Sequence, residues 1–428
     1  KATQCSPSSS SMTSQNSLAD KTMTDALKRM AIMIAAMLLS LAASAQLPPA
    51  TPRISLLTAH AGAEIYQLEG HTALRIVHPD RGDYVVNWGL FDFAAPNFVY
   101  RFVKGETDYL AGASSTDRFL EIYRREGRKV VEQTLDLTPE EALRVVELTY
   151  LNLRPENRVY RYNYVLDNCA TRPLAVIEKA IGDSLRFSFD GLRREPSFRE
   201  AMRSYHRDYP WYQFGIDLAL GSGIDRPISL REEAFAPVKL ELMLEQATRP
   251  DGRRIAAPAV CLVREKDGRV LLPPTPWYLG PMFWSLVVLA LALAVSAGQL
   301  RSRRRTAASR IFDSIYFTLL GLTGCVIAFL VFVSVHEATS PNWLFLWINP
   351  LCLTAAVAVW SKRLEKLSVC YQFVNFALLM ALAVILLCGV QSPNPAFIPL
   401  MAADGVRALT TIYTYYRNRR CQHAKATR

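Results

Sequence analysis

The sequence predicts two structural classes in one chain: an α+β exported domain followed by an all-α bundle of five transmembrane helices. Three observations predict this. A secretory leader stands near the N-terminus, apolar runs of membrane length fill the last third, and the region between mixes short strands and helices without regular βαβ alternation. Half of the 428 residues are hydrophobic and the formal net charge is +11. Position explains the charge. From Trp277 onward there are 14 Lys+Arg against 4 Asp+Glu, whereas the first 276 residues carry 35 against 34. The basic excess lies in short clusters between apolar runs, the mark of cytoplasmic loops, so no nucleic-acid partner is expected.

Residues 1–22 are rich in Ser and Thr and read as an extension upstream of a start at Met23 or Met30. The leader "LKRMAIMIAAMLLSLAASAQ" has a basic start at Lys28 and Arg29, an apolar stretch from Met30 to Ala42, and a small-residue cleavage site at Ala43-Ser44-Ala45. The mature chain then begins near Gln46; an uncleaved anchor is the competing reading. The expected organisation is 1–45 extension and signal peptide, 46–276 exported domain, 277–416 membrane domain and 417–428 basic tail.

Within the exported domain, "RISLLTAHAG" reads as a strand ending in a glycine turn, and "AEIYQLEG" as a short helix or loop. "HTALRIVH", "DRGD" and "YVVNWGLF" form a hairpin pattern of β-branched and aromatic residues about a Gly-containing turn. "STDRFLEIYRREGR" is a capped amphipathic helix and "KVVEQTLDL" a strand. "TPEEALRVVELTYLNLRPE" has a Thr cap, Pro in the first turn and early acids, hence a helix. "YRYNYVLDN" is extended or turn, and "CATRPLAVIEKAIGD" is a helix entered at its cysteine. "APAVCLVREKDGRVLLP" is a strand–turn–strand pattern, and "LLPPTPWYLGP" links to the membrane part.

Five apolar segments follow: Leu279–Leu300, Phe312–Val335, Leu344–Trp360, Tyr371–Val390 and Ala396–Tyr413. The third contains Asn349-Pro350, and the fifth carries Asp404 and Arg407. "RSRRR", "SKRLEK" and the tail "RNRRCQHAKATR" are basic, whereas "HEATSPN" and "QSPNP" contain no Lys or Arg. The alternation puts the soluble domain outside and the C-terminus in the cytoplasm. Asp404 and Arg407 are three residues apart, on one helix face, as a headgroup or substrate contact or as an internal ion pair. His336, near the outer ends of the second and third segments, is a further substrate-binding candidate.

Cys169 and Cys261 are the two cysteines of the mature exported part. They are either a disulfide or unrelated thiols, Cys261 then being a buried strand residue. Cys169 stands at a helix start behind Asp167 and Asn168, either of which can cap that helix. There the helix dipole favours thiolate, and free backbone N–H groups can receive an oxyanion. The candidate bases are His60, His71, His78 and His206. His71 follows Gly70 at the start of a strand, from which it can point at a helix N-terminus packed on the sheet.

"GHTALRI", followed about 100 residues later by "NYVLDNCATR", resembles the circularly permuted NlpC/P60 branch of the papain-like superfamily, in which the histidine strand precedes the cysteine helix. With "NWGLFDF", "FGIDLALGSGIDRP" and the apolar segments, residues 50–415 resemble the Lnb-type lipoprotein N-acyltransferases of Gram-negative bacteria. The resemblance implies Cys169 as nucleophile and His71 as general base. It also implies an orienting group on the strand paired with the histidine strand. If the hairpin turns near Arg81-Gly82, His71 pairs near Phe91. Asn87 shares the parity of Phe91 and is preferred, whereas Asp92 needs a bulge. Asn168 orients the thiol loop or caps the helix.

The implied reaction moves an acyl chain from a phospholipid, through a Cys169 thioester, to the α-amine of an apolipoprotein's diacylglyceryl cysteine. It needs no metal and no cofactor. The implied location is the inner membrane with the catalytic domain in the periplasm; the five aromatics of "FDFAAPNFVYRFVKG" read either as a lipid-facing lip or as ordinary core aromatics. The alternatives are a membrane-anchored cysteine amidase or peptidase acting on cell-wall peptide, and a non-catalytic sensor or transport subunit.

Overall fold

A computed structural model describes residues 23–37, 51–92, 94–182, 185–187, 195–266 and 273–426, with side chains as far as residue 422. The chain divides into two compact units, Lys1–Thr51 and Pro52–Arg428. In the first, a helix (α1) covers residues 23–37 and includes Lys28 and Arg29. The expected cleavage site, Ala43-Ser44-Ala45, lies outside the described residues.

The second unit begins with an antiparallel sheet. Its strands are β1 (Arg53–Ala59), β2 (His71–His78), β3 (Gly82–Leu90), β4 (Asp108–Ser115), β5 (Val130–Thr134), β6 (Val159–Arg161) and β7 (Val260–Val263), in the order β6-β4-β3-β2-β1-β5-β7. The helices are α2 (Phe98–Lys104), α3 (Thr116–Glu126), α4 (Pro139–Leu153), α5 (Thr171–Ile181), α6 (Phe198–Tyr205), α7 (Pro210–Ala219), α8 (Leu230–Glu233) and α9 (Pro237–Leu244). Period-two alternation covers both sheet faces. Leu56, Leu74, Val86 and Trp88 pack with α4 and α5, while Leu57, Ala73 and Val85 pack with Phe119, Leu120 and Tyr123 of α3. The caps act as read: Ser115 accepts the Arg118 amide, and Thr138 forms a capping box with Glu141.

The β2–β3 hairpin forms in a tighter register than expected. Val77 pairs with Asp83 and Ala73 with Asn87, so His71 falls two residues short of Phe91. Because the shift is even, Asn87 still faces the same side as His71. β4, "DYLAGASS", escaped the sequence reading because its small residues carry little strand signal. Cys261 is exposed on the edge strand β7, not buried, and it and Cys169 are both free thiols.

The membrane part contains α10 (Pro281–Ser302), α11 (Ala307–Phe332), α12 (Cys352–Ala358), α13 (Glu365–Leu387) and α14 (Phe397–Ala426). Among the described residues, three helices are long and apolar enough to cross a membrane: Pro281–Ser302, Ala307–Phe332 and Lys362–Leu387. The third expected segment is interrupted. A 3-10 turn at Trp343–Leu346 stops before Asn349-Pro350, because proline disfavours helix in the residue before it and lacks its own N–H. Asn349 Oδ1 then accepts the Leu351 amide (3.1 Å) just ahead of α12. Glycines of α11 admit this broken piece: a Cβ on Gly324 would lie 2.4 Å from the Asn349 carbonyl carbon.

Asp404 and Arg407 do not pair with each other. Arg407 binds Asp313 of α11 through Nε and Nη2 (2.6 and 2.9 Å), and Ser296 and Gln299 of α10 (2.8 and 2.9 Å). Asp404 accepts Trp347 Nε1 (3.1 Å) and Asn375 Nδ2 (2.7 Å). Both residues are fully buried, so they act as internal ties between helices.

Arg407→Leu should therefore strand Asp313 and lower bundle stability by ~3–5 kcal/mol. The double variant Asp313→Leu/Arg407→Leu should recover most of that loss. Thermal unfolding of the full chain in detergent measures both, and a silent single variant would remove the tie.

Candidate active site

Helix α5 meets the sheet at β2 and β3. Two glycines make this approach possible. Gly70 (φ +87°) turns the chain into β2, where a Cβ would lie 2.5 Å from the Ala59 carbonyl oxygen. Gly89 (φ +84°) leaves room for the cysteine loop: a Cβ there would stand 3.2 Å from the Tyr162 ring and 3.7 Å from Cys169 Cβ.

Asn168, not Asp167, caps the helix. Its Oδ1 accepts the Ala170 and Thr171 amides (2.8 and 2.9 Å), and its Nδ2 donates to the carbonyls of Tyr164 and Phe235 (2.7 and 2.9 Å). Asp167 turns outward to Arg172 (2.5 Å), whose guanidinium lies 3.4 Å from the centre of the Tyr160 ring. The two amides expected to receive an oxyanion are thus already engaged. The groups that favour the Cys169 thiolate are instead the Thr72 amide, the Tyr162 hydroxyl and the cysteine's own amide.

His71 Nε2 donates to Asn87 Oδ1 (3.1 Å), which leaves Nδ1 as the basic nitrogen. Asp92 is remote from this pair and accepts the Ala94 amide in its own turn (2.8 Å). Of the other candidate bases, His60 binds Glu241 (2.9 Å), His78 accepts the Asp80 amide in the hairpin turn, and His206 is buried beside Glu69 (3.3 Å).

His71 and Cys169 line one cavity of about 430 Å³, within the size range of small-molecule sites. Tyr109, Tyr162, Tyr164 and Phe91 line it too, and its wall continues to Phe102 of α2 and to His336 and Ala338 in the segment after α11. His336 Nε2 donates to the Phe102 carbonyl (2.8 Å), so this candidate does reach the cavity, whereas Asp404 and Arg407 do not line it. The stretch read as a lip or as core aromatics contains α2. Its Tyr100 ring lies 6.0 Å from that of Phe329 in α11, and Val99, Tyr100 and Phe102 remain exposed.

Burial controls the electrostatics. It pushes His71 down to about 4; the Asn87 hydrogen bond opposes this and the nearby Arg128 charge adds to it. Burial also pushes the Cys169 thiol up to about 11, against the Thr72 amide and the Tyr162 hydroxyl, with Glu69 adding to the rise. The helix dipole, expected to favour thiolate, is outweighed by desolvation. The resting site holds a neutral thiol and a neutral imidazole in one cavity.

Sequence reasoning missed Glu69, Thr72, Tyr162 and Tyr164. Tyr160, Tyr162 and Tyr164 alternate in "YRYNYVLDN" on the approach to Cys169, and Glu69 precedes His71 by two residues. The alternation was visible, but its target was not.

Two family models match the chain: the Lnb N-terminal periplasmic domain over residues 41–200, and the Lnb transmembrane domain over residues 274–419. No curated protein and no solved structure matches it.

The shifted values predict how the thiol reacts. With His71 near 4 and Cys169 near 11, the thiolate fraction is small at pH 7 and rises about tenfold per pH unit up to pH ~11. Iodoacetamide labelling of Cys169, read by mass spectrometry, should keep rising beyond pH 9. A flat rate between pH 5 and 9 would instead indicate a resting thiolate–imidazolium pair.

Proposed function

The chain belongs to the Lnb family, and from that premise we propose that it is a lipoprotein N-acyltransferase of the inner membrane. The carrying observation is that Cys169 and the hydrogen-bonded pair His71–Asn87 meet at one apolar cavity whose wall is shared with the membrane part. This order, histidine strand before cysteine helix, supports a permuted NlpC/P60 papain-like domain. Counting α14 and the broken segment as the two further passes gives five spans, with a periplasmic catalytic domain and a cytoplasmic C-terminus. The domain packs against the segments after α11 and α13, and the clusters Arg301–Arg305 and Lys362–Lys366 lie at the other ends of those helices, which supports this orientation.

His71 Nδ1 takes the thiol proton as Cys169 Sγ attacks an ester carbonyl of a phospholipid. The Thr72 and Cys169 amides and the Tyr162 hydroxyl stabilise the tetrahedral oxyanion. The C–O bond breaks, His71 returns the proton to the leaving glycerol oxygen, and lysophospholipid departs. The thioester remains in a site built largely of aromatic and aliphatic side chains. The α-amine of a diacylglyceryl cysteine then attacks it, the C–S bond breaks, and a triacylated lipoprotein results. Neutral resting partners suit this cycle, because neither the thiol nor the imidazole has to be held charged in the buried site between turnovers.

Cys169→Ala should abolish activity, and His71→Ala should lower it by about 10²–10⁴-fold, while both proteins stay folded in the membrane. Wild-type enzyme given phospholipid and no acceptor should accumulate a hydroxylamine-sensitive adduct on Cys169, seen by mass spectrometry. Cleavage of cell-wall peptide without any lipid adduct would replace this reading with the amidase.

A further inference from the structure

The acceptor in the proposed reaction brings a problem of charge. Its α-amine is mostly an ammonium at neutral pH, and an ammonium neither attacks a thioester nor enters an apolar cavity without a partner. Among the described residues, Glu69 is the only carboxylate lining the cavity. Its Oε1 accepts the Tyr164 hydroxyl and lies 3.3 Å from His206 Nε2. Both contacts fall on one oxygen, and the structure assigns Oε2 no hydrogen bond among the described residues. His206 is itself held by Gln213 (2.8 Å) and sits beneath the Tyr212 ring. The carboxylate is therefore fixed from behind and half-engaged, two residues before the histidine that serves the thiol.

Resting on the acyltransferase reading, we infer that Glu69 is the acceptor site: it binds the α-ammonium of the incoming diacylglyceryl cysteine and takes one of its protons. The freed amine attacks the thioester carbon. As the C–N bond forms, His71 accepts the second proton from nitrogen and passes it to the departing Cys169 sulfur when the C–S bond breaks. The products are amide, Cys169 thiol and protonated Glu69, which returns its proton to water once the product leaves. Glu69 thus has no part in the first half-reaction. Its negative charge opposes thiolate formation at Cys169, so losing that charge does not slow the first acylation.

The test uses the full-length enzyme in detergent, loaded with phospholipid to form the Cys169 thioester. It is then discharged in parallel by a diacylglyceryl-cysteinyl peptide with a free amine and by hydroxylamine, a nucleophile that is largely uncharged at neutral pH. In Glu69→Gln, thioester should form within about threefold of the wild-type rate. Discharge by the lipopeptide should fall ~30-fold or more, while discharge by hydroxylamine stays at the wild-type rate. Glu69→Asp, which keeps a shorter carboxylate, should fall in between. Equal slowing of both nucleophiles, or lipopeptide discharge at the wild-type rate, would overturn the assignment. If Glu69→Gln does not fold, Glu69→Asp decides by the same ratio of the two discharge rates. A wild-type enzyme that never forms the thioester sinks the acyltransferase reading itself, and the acceptor site with it.

Discussion

Asn168 is the side chain on which the site depends. It makes four hydrogen bonds, two accepted at Oδ1 and two donated from Nδ2, and in doing so joins three pieces of chain. The first turn of α5, the turn at Tyr164 and the loop at Phe235 are held together beside the edge of β3. Cys169 is the next residue, so the backbone that carries the thiol is held by these bonds. The same bonds consume the helix-terminal amides. What remains near sulfur is the Thr72 amide, from the strand that carries His71, and the Tyr162 hydroxyl, from the approach to the cysteine. The proposed base, His71, and the proposed oxyanion donor, Thr72, are thus adjacent residues at the start of β2, beside its pairing with β3.

Burial then decides the resting chemistry. A helix N-terminus is worth roughly 0.3–1 kcal/mol to a neighbouring charge at an exposed site, whereas desolvating an unpaired ion costs several kcal/mol. Desolvation prevails, and it moves the thiol and the imidazole in opposite directions, both toward neutrality. Asn87 contributes by orientation rather than by charge. As a neutral acceptor it selects the tautomer with Nδ1 free without holding the imidazole protonated, as a carboxylate in its place would. A neutral thiol and imidazole fit the proposed reaction, in which the cavity receives acyl chains.

The chain's legibility followed the range of its interactions. Caps, turns and period-two patterns are local, so β1, β2, β3, β5, α3, α4 and α5 could be read from a few residues each. The parity argument that preferred Asn87 over Asp92 agrees with the geometry although the register was off by two, since an even slip leaves the faces unchanged. What could not be read depends on distant partners. Nothing near Arg407 in sequence points to Asp313, 94 residues away, and nothing near Glu69 points to Tyr164 or His206. The dipole argument met the same limit: it used the helix, which is local, and lacked the burial that pushes the thiol up, which is not. The interruption at Asn349-Pro350 was visible as a weakness, but the glycines of α11 that accommodate it show their purpose only in three dimensions.

The motif "FGIDLALGSGIDRP" shows how the two halves of the second unit become one. Its Asp217 accepts Arg199 Nη1 (3.1 Å), Arg203 Nε (3.3 Å) and Asn394 Nδ2 (2.9 Å), the last from the segment ahead of α14. Arg203 also donates to Ser392 Oγ (2.9 Å) and to the Pro393 carbonyl (3.0 Å), and Phe214 sets its ring 4.9 Å from that of Phe397. Gly221 lies so close to Pro341 that a Cβ would stand 2.4 Å from its carbonyl oxygen. This is a charged and tightly packed joint, largely buried, in which removing one partner strands another. An enzyme that needed only a tether would gain nothing from it. The proposed lipid chemistry gives it a purpose, because the far wall of the cavity, at His336 and Ala338, belongs to the membrane part. The joint and the cavity wall meet in the segment between α11 and α12. The position of the thiol relative to the bilayer is therefore set by packing rather than by a flexible linker.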